Sequence, residues 1–171
     1  MARLRKDFTV PLLKNGKITE DVFTRVTGET DFPSTGALIV DLTSWQEHRS
    51  ELLGRADPIG IELAAGESPS EIADDLGNLS LVALDFPAFS DGRAFSSARL
   101  LRERYHFKGE VRAVGDVLLE QLHFMSRVGF DSFVLDSEDP VQEWLIAQDD
   151  LNLWYQPTED GRITVRQKRR G

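Results

Sequence analysis

The chain has 171 residues, 40% of them hydrophobic and 29% charged, with a formal net charge of −9 and no cysteine. That length suits one domain with its own core, and the composition is ordinary for a globular protein. The missing cysteine excludes disulfides, thiolate catalysis and Cys-ligated zinc or iron–sulfur centres, and no apolar run approaches the ~20 residues of a membrane span, so no membrane association is expected.

The N-terminus, MARLRKDFTV, is basic but has no apolar run behind it, so a cytoplasmic chain without a secretory signal is expected. Phe8 to Leu13 alternates weakly and Asn15-Gly16 is a turn signal. Residues 1–36 therefore read as a hairpin and a polar connector, closing on the loop TDFPSTG. From residue 37 to 148 the pattern is regular. Ala37 to Leu42 (ALIVDL) reads as a strand buried on both faces, and Thr43 or Ser44 can N-cap a helix to about Gly54. Pro58 to Leu63 is a second strand, and Ser68 or Ser70 opens a short helix through Ile72 and Leu76. Leu79 to Leu84, Val111 to Val114 and Ser132 to Leu135 complete five strands, separated by helices over about 96–106 and 116–128. Pro140 fits the first turn of a last helix, 140–148. Residues 149–171 read as a C-terminal β tail turning at Glu159-Asp160-Gly161, with Trp154 and Tyr155 available for packing.

This alternation predicts a single α/β domain of repeated βα units with a mainly parallel sheet of about five strands and short terminal β segments. Five units are too few for a closed eight-stranded barrel, which leaves a partial TIM-like barrel or an open doubly wound sheet. The sheet edges need covering, and the tail from Leu151 to Arg170 has no place in the βα order, so a homodimer is expected. Basic residues cluster at the two ends, in Arg3, Arg5 and Lys6 and in Arg162, Arg166, Lys168, Arg169 and Arg170. The body between them is strongly acidic, which argues against nucleic-acid binding.

In parallel α/β proteins ligands bind at the carboxyl ends of the strands. Asp41, Glu62, Asp85, Arg112 with Asp116, and Asp136 are expected there, together with the loop from Phe86 to Phe95. Gly92 gives that loop backbone freedom, and Ser96 or Ser97 can cap the next helix. Arg93, Arg99, Arg102 and Arg112 supply positive charge. The ligand-binding candidates are thus Asp85, Ser90, Asp91, Gly92, Arg93, Ser96, Arg99, Arg112 and Asp116, arranged for a carboxylate, phosphate or sulfur oxyanion. The plainer alternative is that Arg99 pairs with Glu103 at i,i+4 while Asp91 and Ser96 make local caps. Asp41, Glu62 and Asp85 end three successive strands and offer oxygen ligands of the kind magnesium takes, although strand-end acids more often cap helices. Leu118, Leu122 and Met125, widened by Val117, Phe124 and Val128, form an apolar helix face that reads as core, with His123 on the polar side. His48, His106 and His123 show no metal-ligand spacing. No dinucleotide, Walker, nucleophile-elbow or zincin motif occurs, so no cofactor is evident and no catalytic residue can be named.

The stretch DFPAFSDGRAFSSARLLRERYHFKGEVRAVGDVLLEQL, with RVGFDSF after it, resembles the bacterial domain-of-unknown-function family 934. The resemblance covers about residues 58–136 and is carried by Asp91, Gly92, Arg93, Arg99, Arg102, Glu103, Arg104, Gly109, Glu110, Arg112, Gly115, Asp116, Gly129 and Asp131. Members are labelled probable oxidoreductases involved in sulfite reduction and tend to be encoded beside sulfite reductase. The resemblance implies a role in sulfur assimilation with sulfite reductase or a small anion as partner, and it brings no catalytic residues with it. The expected function is an accessory or small-anion-binding protein of assimilatory sulfite reduction. The alternative is an α/β enzyme of unknown substrate, with or without a metal ion, with carboxylates at its strand ends.

Overall fold

The apolar runs become central strands and the turn signals fall between them in a computed structural model that describes residues 11–26, 28, 31–137 and 139–149. β1 (Leu12–Lys14) and β2 (Lys17–Thr19) form a hairpin whose turn, Asn15-Gly16, holds positive φ at both residues, 52° and 75°. β3 (Phe23–Val26), β4 (Ala37–Asp41), β5 (Ile59–Leu63), β6 (Leu81–Phe86), β7 (Glu110–Gly115) and β8 (Ser132–Val134) are parallel and lie side by side in chain order. β1 adds antiparallel to β8, giving one eight-stranded sheet in the order β2-β1-β8-β7-β6-β5-β4-β3.

An order without reversal sends each right-handed crossover over the same face of the sheet. The helices α1 (Leu42–Leu53), α2 (Arg93–Arg99), α3 (Leu122–Val128) and α4 (Pro140–Asp149), with a 3-10 helix at Pro69–Asn78, therefore cover one side. A doubly wound sheet would reverse its order at a switch point. This one does not, and it is a curled half-barrel of eight strands instead of the mainly parallel five-stranded sheet expected. The three extra strands all come from the N-terminal segment, where the hairpin extends one edge and β3 the other.

Chain length dictates the curl. Flat strands spaced ~4.8 Å apart would separate the two edges by roughly 34 Å. Residues Thr19 and Phe23 end β2 and begin β3 on those opposite edges. Four residues of chain reach at most about 14 Å, so the sheet must roll until its edges approach and the connector Glu20–Val22 can join them.

The helix-covered face holds the main core, in which Leu38, Val40, Ile61, Leu63, Val82, Leu84, Val111, Ala113 and Phe133 pack with Trp45, Leu52, Ile72, Leu101, Leu122 and Met125. Each fully buried large side chain contributes about 1.5–3 kcal/mol of transfer free energy, which keeps the amphipathic helices docked. On the inner face, Ile39, Leu81 and Ala83 pack with Phe23 and Val114, and buried charged residues such as Glu62 and Arg112 stand among them.

Several local expectations are corrected. Asp41, not Thr43 or Ser44, caps α1 by accepting the Ser44 N–H at 2.7 Å. Ser68 does open the next helix, as a capping box with Glu71. Gly92 is the N-cap of α2 without a side-chain bond, so Ser96 and Ser97 lie inside the helix, which continues as a π turn over Leu100–Arg104. The helix expected from 116 starts as a 3-10 turn at Leu119–Gln121 and becomes α3 only at Leu122. His123 is buried, not on a polar face, because α4 packs over it and its Nδ1 lies 2.9 Å from the Ala147 carbonyl oxygen. The expected β tail falls outside the described residues apart from Asp149, which ends α4.

Gly115 ends β7 with φ +89°, and a Cβ there would lie 2.4 Å from the Phe86 carbonyl oxygen. Gly115→Ala is expected to cost about 1–3 kcal/mol of unfolding free energy through backbone strain and displacement. Gly77→Ala, with nothing within 4 Å of the added Cβ, should stay within about 0.5 kcal/mol of wild type or gain slightly. Urea unfolding of the two variants checks the contrast, and equal midpoints would contradict it.

Candidate functional site

Register decides which side chains share the inside of the curl. Asp41, Glu62, Ala83, Arg112, Ser132 and Lys14 are successive partners across β4, β5, β6, β7, β8 and β1. Alternate strand positions face the same side. Arg25 of β3 and Glu110 of β7 therefore join this inner wall one step below, and Asp85 of β6 one step above, toward the carboxyl ends of the strands.

Arg112 sits in the middle of β7, only 2% exposed. Its Nε donates to Glu110 Oε1 at 2.9 Å, and its Nη2 lies 2.8 Å from the same oxygen. Its Nη1 donates to Asp21 Oδ2 at 2.8 Å. The guanidinium carbon also lies 5.5 Å from the centre of the Phe23 ring, a cation–π contact across the curl. Glu110 in turn accepts from Lys14 Nζ at 2.5 Å and from Ser132 Oγ at 2.6 Å. Burial alone would push the Glu110 carboxyl up, but the hydrogen bonds from Lys14 and Ser132 and the charge of Arg112 outweigh it and hold the group below its ordinary value.

Toward the carboxyl ends the balance reverses. Glu62 is 8% exposed and accepts from Arg25 Nη2. Its burial pushes the carboxyl up, Arg25 offsets only part of that, and the negative charges of Asp85 and Asp41 add to it. Asp85 is also pushed up by burial, with Arg25 opposing and Asp91 reinforcing. Among the described residues nothing donates a hydrogen bond to the Asp85 side chain. Two carboxyls at one mouth thus retain protons to higher pH than exposed acids do, a common setting for proton exchange.

The loop candidates are arranged differently from what an anion pocket needs. Arg93 pairs with Asp91, its backbone N–H and Nε donating to Asp91 Oδ1 at 3.1 and 2.9 Å, and these bonds pull Asp91 down to about 2. Arg99 donates to Glu103 at 2.7 Å on the helix surface. Asp116 accepts the Phe89 N–H at 2.9 Å and pins the loop, while Ser90 and Ser96 are exposed. Asp85 and Arg93 do share a crevice, lined also by Gly66, Glu67 and Ser97, but its volume of about 10 Å³ is hardly room for one water. Asp41 is committed to the α1 cap and to the Gly28 N–H, at 2.7 Å each. Among the described residues no three His, Cys, Asp or Glu side chains form a group that could hold a metal ion, so Asp41, Glu62 and Asp85 do not assemble as one.

Arg112 is an inner-wall residue and not a strand-end one, because β7 starts at Glu110 and runs on to Gly115. Arg25, Lys14, Asp21, Glu110 and Ser132 were absent from the sequence candidates. One signal was present for Glu110: in EVRAVG the charged residues alternate with apolar ones at strand period, which places both charges on one face. Other residues that carry the family resemblance form a structural joint. Arg102 donates to the carbonyls of Phe107, Gly109 and Gly129 at 2.6, 2.9 and 3.0 Å and pairs with Asp131, which also accepts the Val111 N–H at 2.8 Å.

A family model described as a bacterial protein of unknown function, DUF934, matches residues 60–165. No curated protein matches the chain.

The electrostatics at the mouth are testable through stability. The folded-state value of Asp85 lies above its ordinary 3.8, so ionising it opposes folding. Asp85→Asn removes that penalty. The variant is expected to melt higher than wild type at neutral pH, with the gap closing as pH falls through the raised value toward 3.8, below which both states of the wild type are protonated. Circular-dichroism melts across that range measure it. A variant that melts lower at neutral pH would mean that the carboxylate has a stabilising partner.

Proposed function

The chain belongs to the DUF934 family of bacterial proteins, and from that premise we propose that it is an accessory, small-anion-binding component of assimilatory sulfite reduction. The observation that carries the anion half is Arg112, a permanent cation enclosed on the inner wall of a half-barrel. Charge interactions there are stronger than at the surface, because water screens them less. The loop arginines are weaker candidates. Arg93 and Arg99, like Arg112, are paired with acids, but they are exposed, and a solvated arginine competes poorly for a dilute anion. The pathway half is supported by the resemblance described above, whose members are associated with sulfite reductase. In this reading the protein captures or presents the anion, and the reductase carries the electron chemistry.

A second reading has its own observation. Glu62 and Asp85, both pushed up at one mouth with Arg25 beside them, are suited to general acid–base work in an α/β enzyme. Its metal-assisted form would rely on those two carboxylates. Thermal melts with and without magnesium test that metal-assisted form, since an ion bound only by the native state raises the midpoint.

Deleting the gene in its host is expected to slow growth on sulfate and leave growth on cysteine unchanged. Titration calorimetry of the purified protein should give heat with sulfite, with sulfate or with the purified reductase. Equal growth on both sulfur sources, together with no heat from any of the three, would overturn the proposal.

A further inference from the structure

The two acids that face Arg112 are held in different ways. Glu110 lies within β7 and is fixed from two further strands by Lys14 and Ser132. Asp21 lies on the connector between β2 and β3, where Glu20, Asp21 and Val22 are all exposed, and its side chain keeps 37% of its accessible surface. Its two oxygens divide their work: Oδ1 accepts the Phe23 N–H at 3.1 Å and Oδ2 accepts from Arg112 at 2.8 Å. A connector outside the sheet ladder is the cheapest part of this assembly to move. Without the charge of Asp21, the local cluster of Lys14, Arg112 and Glu110 carries one net positive charge, and Arg112 in it is fully enclosed. Such a charge is costly unless an anion answers it.

We propose that Asp21 is a built-in occupant of an anion site centred on Arg112, and that an external small oxyanion or carboxylate binds by taking its place. This deepens the anion-binding reading above and rests on it. For a carboxylate or hydrogensulfite the exchange conserves charge at Arg112, one monoanion for another, while sulfate adds one negative charge; either leaves Glu110 with its three donors. The planar guanidinium suits the ligand class, because its paired N–H groups match the oxygens of carboxylates and oxyanions. The tether keeps Asp21 at high local concentration, so the wild-type protein binds external anions weakly. Binding is coupled to release of Glu20–Val22 from the curl, so that the exposed connector reports occupancy to a partner protein.

The experiment uses the full chain with Asp21→Asn, whose amide oxygen can still accept the Phe23 N–H while the competing charge is gone. Midpoints are measured with millimolar sulfite and sulfate against chloride at matched ionic strength. The variant is expected to show an anion-dependent rise, with an apparent affinity about tenfold above wild type, as expected when a self-occupied state is relieved. Adding Arg93→Gln should leave that rise intact. No rise in Asp21→Asn, or loss of it on adding Arg93→Gln, overturns the site. Should Asp21→Asn fail to fold, hydrogen exchange on the wild type decides: sulfite must speed exchange of the Phe23 N–H, which Asp21 accepts, and unchanged exchange there overturns the proposal. A growth defect on sulfate alongside an anion-silent Asp21→Asn would sink this site and leave the pathway reading standing. An anion-responsive variant from a gene whose deletion has no effect would do the reverse.

Discussion

A guanidinium enclosed by a curled sheet has to be answered from within, and the requirement to compensate Arg112 ties the inside of this protein together. The answering groups come from distant parts of the chain: Glu110 from the same strand, Asp21 from the connector that joins the sheet edges, and the ring of Phe23 from the far edge strand. Lys14 and Ser132 then bind Glu110 from β1 and β8. Each contact draws one part of the sheet toward another, so the same network that neutralises the charge also holds the roll. Breaking one partner of such a buried pair is costly, because the remaining charge stays where water cannot reach it.

The carboxylates sort by how their burial is repaid. Glu110 and Asp41 lose water but gain several donors, and both lie below their ordinary values. On the helix side Asp75 behaves in the same way: Arg49 donates to it and so does the buried Trp45 indole, at 3.0 Å. Glu62 and Asp85 are the exceptions, since burial there is only partly offset. The exceptions sit together, near the carboxyl ends of the strands. That clustering lies at the face where parallel α/β folds place their ligands, and it is the observation behind the acid–base reading proposed above.

The single-layer helix cover has a consequence for that surface. With the helices on one face, the other face finds its partners, among the described residues, within the rolled sheet and its connector. The inner wall is narrow and mixes Ile39, Leu81 and Ala83 with charged side chains. The three-residue connector between β2 and β3 completes the roll. It also carries Asp21, so the most exposed partner of Arg112 lies on the segment that closes the structure.

Local chemistry was legible in the sequence because it acts over a few residues. The apolar runs at Ala37–Asp41, Ile59–Leu63 and Leu81–Phe86 announced strands, Asn15-Gly16 announced its turn, and Arg99 with Glu103 announced a surface pair. Their alternation with helices determined the α/β class and made a partial barrel one of two possible forms. The choice between those forms belonged to the tertiary structure, since strand order is a property of crossovers and not of any one segment. The inner wall belonged to it as well. Arg112 and Asp21 are 91 residues apart in sequence, and Lys14 and Glu110 are 96 apart. No periodicity links residues at such separations. The pairing of β1, β8 and β7 brings Lys14 to Glu110, and the curl brings Asp21 across to Arg112, so both contacts exist only once the sheet is assembled.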